Sequence, residues 1–145
     1  MARILVAEDD PSVRAFVVSA LTMKGHEIVA EEDGGLAAET VDSENGRFDL
    51  MLSDIKMPIM DGIALSLHVA AKYPSMIIVL MTGFADQRER AHGLDALIYD
   101  VIVKPFTLAE LLGKIDDALA GKPVQVISLG AADARDLAPA PIKSP

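Results

Sequence analysis

The chain has no cysteine, which excludes a disulfide framework and a thiolate metal site together. It is short of base as well: 13 Lys and Arg stand against 22 Asp and Glu, a net charge of −9. That balance argues against DNA as a direct partner, because phosphate contacts need clustered cations. No apolar run is long enough to span a bilayer, so no membrane is expected. The start, "MARILVAEDD", reaches its acids too early for a signal peptide. A cytoplasmic protein is the expectation. What the chain does have is apolar bulk, 51% of 145 residues, enough to pack one domain with some length to spare.

That bulk is arranged in alternation. "RILVA" (3–7), "EIVAE" (27–31), "FDLMLSD" (48–54), "SMIIVLMTG" (75–83) and "DVIVKPF" (100–106) read as strands. Between them run helical patterns. The first opens at Asp10 as N-cap with Pro11 at its first position. Its Val13, Phe16, Val17, Ala20 and Leu21 fall on one face, and Gly25 stops it. The second closes at Asn45-Gly46, the third spans about 61–72 and a polar fourth about 86–97. The fifth begins at Thr107, whose spacing to Glu110 makes a capping box. The fold class expected is therefore α/β: a five-stranded parallel doubly wound sheet with five helices, flavodoxin-like in its order.

Folds of this kind bind ligands beyond the carboxyl ends of their strands. Those ends carry Glu8, Asp9 and Asp10 from the first strand, Asp54 from the third, Thr82 from the fourth and Lys104 from the fifth. Asp10 reads as the helix cap alone, and Glu31, Glu32 and Asp33 after the second strand read as solvated surface. The rest suits phosphoryl transfer onto a carboxylate. Aspartate can act as the nucleophile and form an aspartyl phosphate. Mg²⁺, a hard ion, takes carboxylate oxygens and keeps several waters. Glu8 and Asp9 would hold it, with Asp54 as a third oxygen source that also attacks. Lys104 would neutralise phosphoryl oxygens, and Thr82 would donate a hydroxyl hydrogen bond. Without a cation, three carboxylates together would raise one another's pKa.

The pieces "ILVAEDD", "LMLSDIKMPIMDG", "VLMTGFA" and "IVKPFT" make the chain resemble a receiver domain of a two-component response regulator, over about residues 1–121. The resemblance implies Asp54 as phosphoacceptor, Glu8 and Asp9 as the acid pair, Thr82 as switch hydroxyl and Lys104 as phosphate-sensing lysine. It implies that Lys56 gives its backbone carbonyl to the metal and that the Lys104-Pro105 peptide is cis. Its partners would be a histidine kinase or histidine phosphotransferase and a protein that reads the output. Lys56 and Phe84 flank the path of the hydrolytic water in such domains, and their bulk implies a slow loss of the phosphoryl group.

One departure stands out. Receivers usually carry an aromatic residue three before the lysine, where this chain has Val101. Tyr99 lies two residues earlier, on the same side of a regular strand, and reads as an ordinary surface residue, with a displaced substitute for the missing aromatic as the alternative. The end, 122–145, is too short for an effector domain and reads as a flexible tail. A single-domain regulator is therefore the expectation, and the chain most resembles the CpdR-type cell-cycle receivers, which act with the ClpXP protease. The alternative is a metal-dependent phosphohydrolase of haloacid dehalogenase type. That family needs a second acid two residues after its nucleophile, where this chain has Lys56.

Overall fold

The computed structural model describes residues 1–83, 91 and 93–122. Within them the order is β1 (Arg3–Ala7), α1 (Pro11–Met23), β2 (Glu27–Glu31), α2 (Gly34–Ser43), β3 (Leu50–Asp54), α3 (Gly62–Lys72), β4 (Ile77–Thr82), β5 (Asp100–Val103) and α4 (Leu108–Leu119). The strands form one parallel sheet in the order β2-β1-β3-β4-β5. Four helices are found among the described residues. Half of the additional helix expected over 86–97 lies outside them; Ala91 within that span is helical, while Gly93 to Leu97 sit in turns. The tail from 123 onward also lies outside the described residues. No described helix is long and apolar enough to cross a membrane.

The period-2 geometry of the strands divides the core in two. Leu5, Met51, Ile78 and Leu80 face one side, where Ala37 and Val41 of α2 and Leu65 and Val69 of α3 cover them. Ile4, Val6, Leu50, Leu52, Val79 and Met81 face the other, covered by Val17 and Leu21 of α1 and Leu111 and Ile115 of α4. Because β1, β3 and β4 are covered on both faces, their sequences read as unbroken apolar runs. Each of these side chains leaves water for a close-packed interior, so a truncation such as Leu52→Ala should cost about 2–5 kcal/mol.

The helix ends are fixed by side chains. Asp10 accepts the N–H of Ser12 at 2.8 Å and of Val13 at 3.2 Å, and Thr107 and Glu110 form the expected reciprocal box. Asp61 caps α3 through the N–H of Ala64 at 2.8 Å. Two expectations need correcting. Asp33 is the N-cap of α2, accepting the N–H of Leu36 at 2.7 Å, because α2 begins at the very next residue. Phe16 was placed on the buried face of α1, yet it is 41% exposed. Its ring turns instead toward Phe106, 6.3 Å away between centroids.

Candidate functional site

β1 stops at Ala7, and the next three residues divide the work. Asp10 is taken up by the helix cap, which leaves Glu8 and Asp9. Glu8 is fully buried and Asp9 is exposed. The guanidinium of Arg14, one turn into α1, donates to the Glu8 carbonyl at 2.8 Å and steadies this crossing. β3 is buried along its whole length and ends on Asp54, which is 7% exposed. Thr82 ends β4, 1% exposed, in register with Val103. The Thr82 carbonyl accepts the N–H of Lys104 at 2.7 Å, so β4 and β5 hold their terminal groups together. The Lys104-Pro105 peptide is cis, as the resemblance implied.

Lys104 organises the centre. Its Nζ donates to Glu8 Oε1 at 2.7 Å and to Asp54 Oδ2 at 3.1 Å. The second oxygen of each acid is held by backbone: Glu8 Oε2 accepts the N–H of Asp10 at 3.1 Å, and Asp54 Oδ1 that of Ile55 at 3.0 Å. One carboxylate oxygen each from Glu8, Asp9 and Asp54 lies within 4.8 Å of the others. The cavity they open onto, about 610 Å³, is also lined by Lys56, Met57, Pro58 and Gly83. Met57 and Pro58 were not singled out from the sequence.

Burial dominates the electrostatics here. It pushes Glu8 up to about 7, with the Asp54 charge adding and the hydrogen bonds from Lys104 and the Asp10 amide opposing. Burial pulls Lys104 down, but its hydrogen bond to Glu8 and the charges of Asp54 and Glu8 more than offset this and leave it raised. A buried acid whose charge is disfavoured, sharing the Lys104 ammonium with Asp54 and standing beside Asp9, belongs to a donor set that suits a hard divalent cation. The fit to Mg²⁺ therefore rests on the residues present.

The structure brings Glu8, Asp9, Asp54, Thr82 and Lys104 to one edge of the sheet, with Lys56 on the rim. It does not bring Tyr99 there. The Tyr99 hydroxyl donates to the Lys122 carbonyl after α4. Its ring packs on the core half under α1 and α4, whereas Val101 packs on the opposite half. The same-side expectation fails because regular strand geometry begins only at Asp100. Phe84 lies outside the described residues.

The response regulator receiver domain family matches residues 4–116. The response regulator receiver protein CpdR of Brucella abortus is 37% identical over 119 residues, 82% of this chain and 98% of that protein. The transcriptional regulatory protein PdtaR of Mycobacterium tuberculosis is 37% identical over 81% of this chain, which spans only 57% of that longer protein. Among solved structures, the response regulator TrrA of Thermotoga maritima, in complex with Mg²⁺-BeF, superposes with a TM-score of 0.73 at 30% identity. That match covers 81% of this chain and 99% of the other.

Proposed function

The chain belongs to the response regulator receiver family, and on that premise we propose that it is a phosphorylation switch whose acceptor is Asp54. The observation that carries this reading is the gathering of Glu8, Asp9 and Asp54 within 4.8 Å at the carboxyl edge of the sheet, with Lys104 bonded to two of them. Glu8, Asp9, the Asp54 carboxylate and the Lys56 carbonyl would hold Mg²⁺, which supplies positive charge against the phosphoryl oxygens. A carboxylate oxygen of Asp54 attacks the phosphorus of a phosphohistidine. The new O–P bond forms as the N–P bond breaks, and the departing histidine nitrogen takes up a proton. Lys104 transfers its contacts to the phosphoryl oxygens, and the Thr82 hydroxyl donates to one of them. The product is a regulator with altered surface contacts rather than an enzyme with a substrate of its own.

The donor in this reading is a histidine kinase or histidine phosphotransferase. The output partner is a protein, and the likeness to CpdR favours a ClpXP-type protease system as that partner. The acceptor is tested first. Incubated with acetyl phosphate and Mg²⁺, the chain should gain one phosphoryl group by intact mass, and Asp54→Asn should gain none. Equal labelling of the Asn variant would remove Asp54 from the role.

A further inference from the structure

The loop from Lys56 to Met60, directly beyond Asp54, holds a residue whose identity the fold does not explain. Ile59 has φ +72°, and the amide of Met60 donates to the Pro58 carbonyl at 2.8 Å across it. This is a γ-turn of the positive-φ kind, which is rare and strained. A β-branched side chain is the worst choice at such a point and glycine or asparagine the best.

The backbone conformation is imposed from outside. A Cβ at Gly34 would lie 1.9 Å from the Met60 carbonyl oxygen, so α2 presses on the loop from one side. From the other, the Gly62 amide donates to the Ile55 carbonyl at 2.7 Å. Any residue at 59 must take this conformation, yet Ile59 recovers little for the fold in exchange, being 86% exposed. Its Cγ2 lies over Gly35, where a Cβ would come within 2.7 Å. Strain that the domain does not use directs attention to a function.

We infer that Ile59 is a specificity-determining contact for the protein that donates the phosphoryl group, whose surface would bear an apolar patch beside its phosphohistidine. This rests on the acceptor reading above. The footprint supports it. A specific protein interface covers about 800 Å² per partner, a disc about 16 Å in radius. Ile59 is three peptide units from Lys56 on the cavity wall, hence at most about 11 Å away. A protein seated over Asp54 covers Ile59, while a small phosphodonor sits within the cavity, whose wall Ile59 does not line. The same side chain should therefore matter to one class of donor and be invisible to the other.

The test compares the parent chain with Ile59→Gly, Ile59→Asn and Ile59→Leu. Purified, radiolabelled histidine kinases and phosphotransferases from the genome encoding this chain are profiled, and the fastest donor is retained. The Gly and Asn variants should each lose about tenfold in kcat/KM from that donor, the scale of one apolar interface contact, and Leu should restore most of it. Labelling by acetyl phosphate should be unchanged in all, and Tm should be no lower in the Gly variant than in the parent. Equal transfer to parent and variants overturns the inference and leaves Asp54 as acceptor. A loss with Gly alone assigns the effect to loop flexibility, and a matching loss with acetyl phosphate assigns it to the cavity; either overturns it. Failure of acetyl phosphate to label the parent removes the acceptor reading itself, and the absence of any protein donor overturns the inference alone.

Discussion

Lys104 stands in the resting site as the counter-charge to two acids, and Glu8 shows how incomplete that arrangement is. Burial pushes Glu8 up to about 7 despite a lysine at 2.7 Å. A carboxyl with a raised folded-state pKa contributes stability that is full below its unfolded value of 4.5 and is lost as pH rises through about 7. A bound divalent cation reverses this preference by stabilising the charged form. Mg²⁺ should therefore raise Tm more at about pH 8 than at about pH 6, and Glu8→Gln should flatten the difference. Differential scanning fluorimetry at the two pH values decides it. A pH-independent gain would put the ion away from Glu8. Arg3, at the other end of β1, shows the opposite character. It donates to Glu27 at 3.0 Å, Glu44 at 2.9 Å and the Arg47 carbonyl at 2.6 Å while covering the Phe48 ring at 4.4 Å. Nothing about a lone arginine at a strand start announced that role, because its hydrogen-bond acceptors come from 24 to 44 positions away.

Among the elements, the contact between α2 and the loop after β3 is the tightest described above. The atom a Gly34 Cβ would meet is a backbone oxygen at 1.9 Å, which cannot rotate aside as a side chain can. Gly34→Ala should destabilise by about 1–3 kcal/mol, the range for forced overpacking, and should shift the amide signals of Lys56 to Met60. Intact signals there with an unchanged Tm would show that the loop accommodates the methyl group. Strands were legible where an apolar run ends abruptly in charge: β1 and β2 begin and end where the sequence indicated. The ends of β3, β4 and β5 were read two to three residues too long, since the flanking Phe48, Met76 and Phe106 are apolar for reasons of packing rather than pairing. The site was legible for the same reason as the strands, its acids and lysine standing at their ends. The γ-turn at Ile59 was not, because an isoleucine gives no signal of positive φ. The partition of Tyr99 and Val101 to opposite sides was hidden too, since it depends on where regular pairing starts.

Across the whole molecule, the question is how a change at Asp54 reaches a partner. Val101 is small, partly buried and branched at Cβ, so it offers no large rotation to amplify an event at Thr82. The Tyr99 ring is tied to the end of α4. Among the described residues, backbone connects the site to the edge of the sheet, through the Lys104 amide on the Thr82 carbonyl. Beryllofluoride with Mg²⁺ should therefore move the amide signals of Gly83, Val103 and Lys104, with the effect continuing into Ile98 to Val101. Thr82→Ala should blunt those shifts while leaving Asp54 open to labelling by acetyl phosphate. Shifts confined to α1 would sink this route.

β3 is buried from Leu50 to Asp54, with Leu50, Met51 and Leu52 wholly out of solvent. Such an element opens only with the domain, whereas an exposed turn can be altered without unfolding anything. Asp54 and the turn beside it are thus under separate structural constraints. On the reading proposed above, a substitution at Ile59 would change which sender is heard in a duplicated copy of the gene, while Asp54 is handed on untouched.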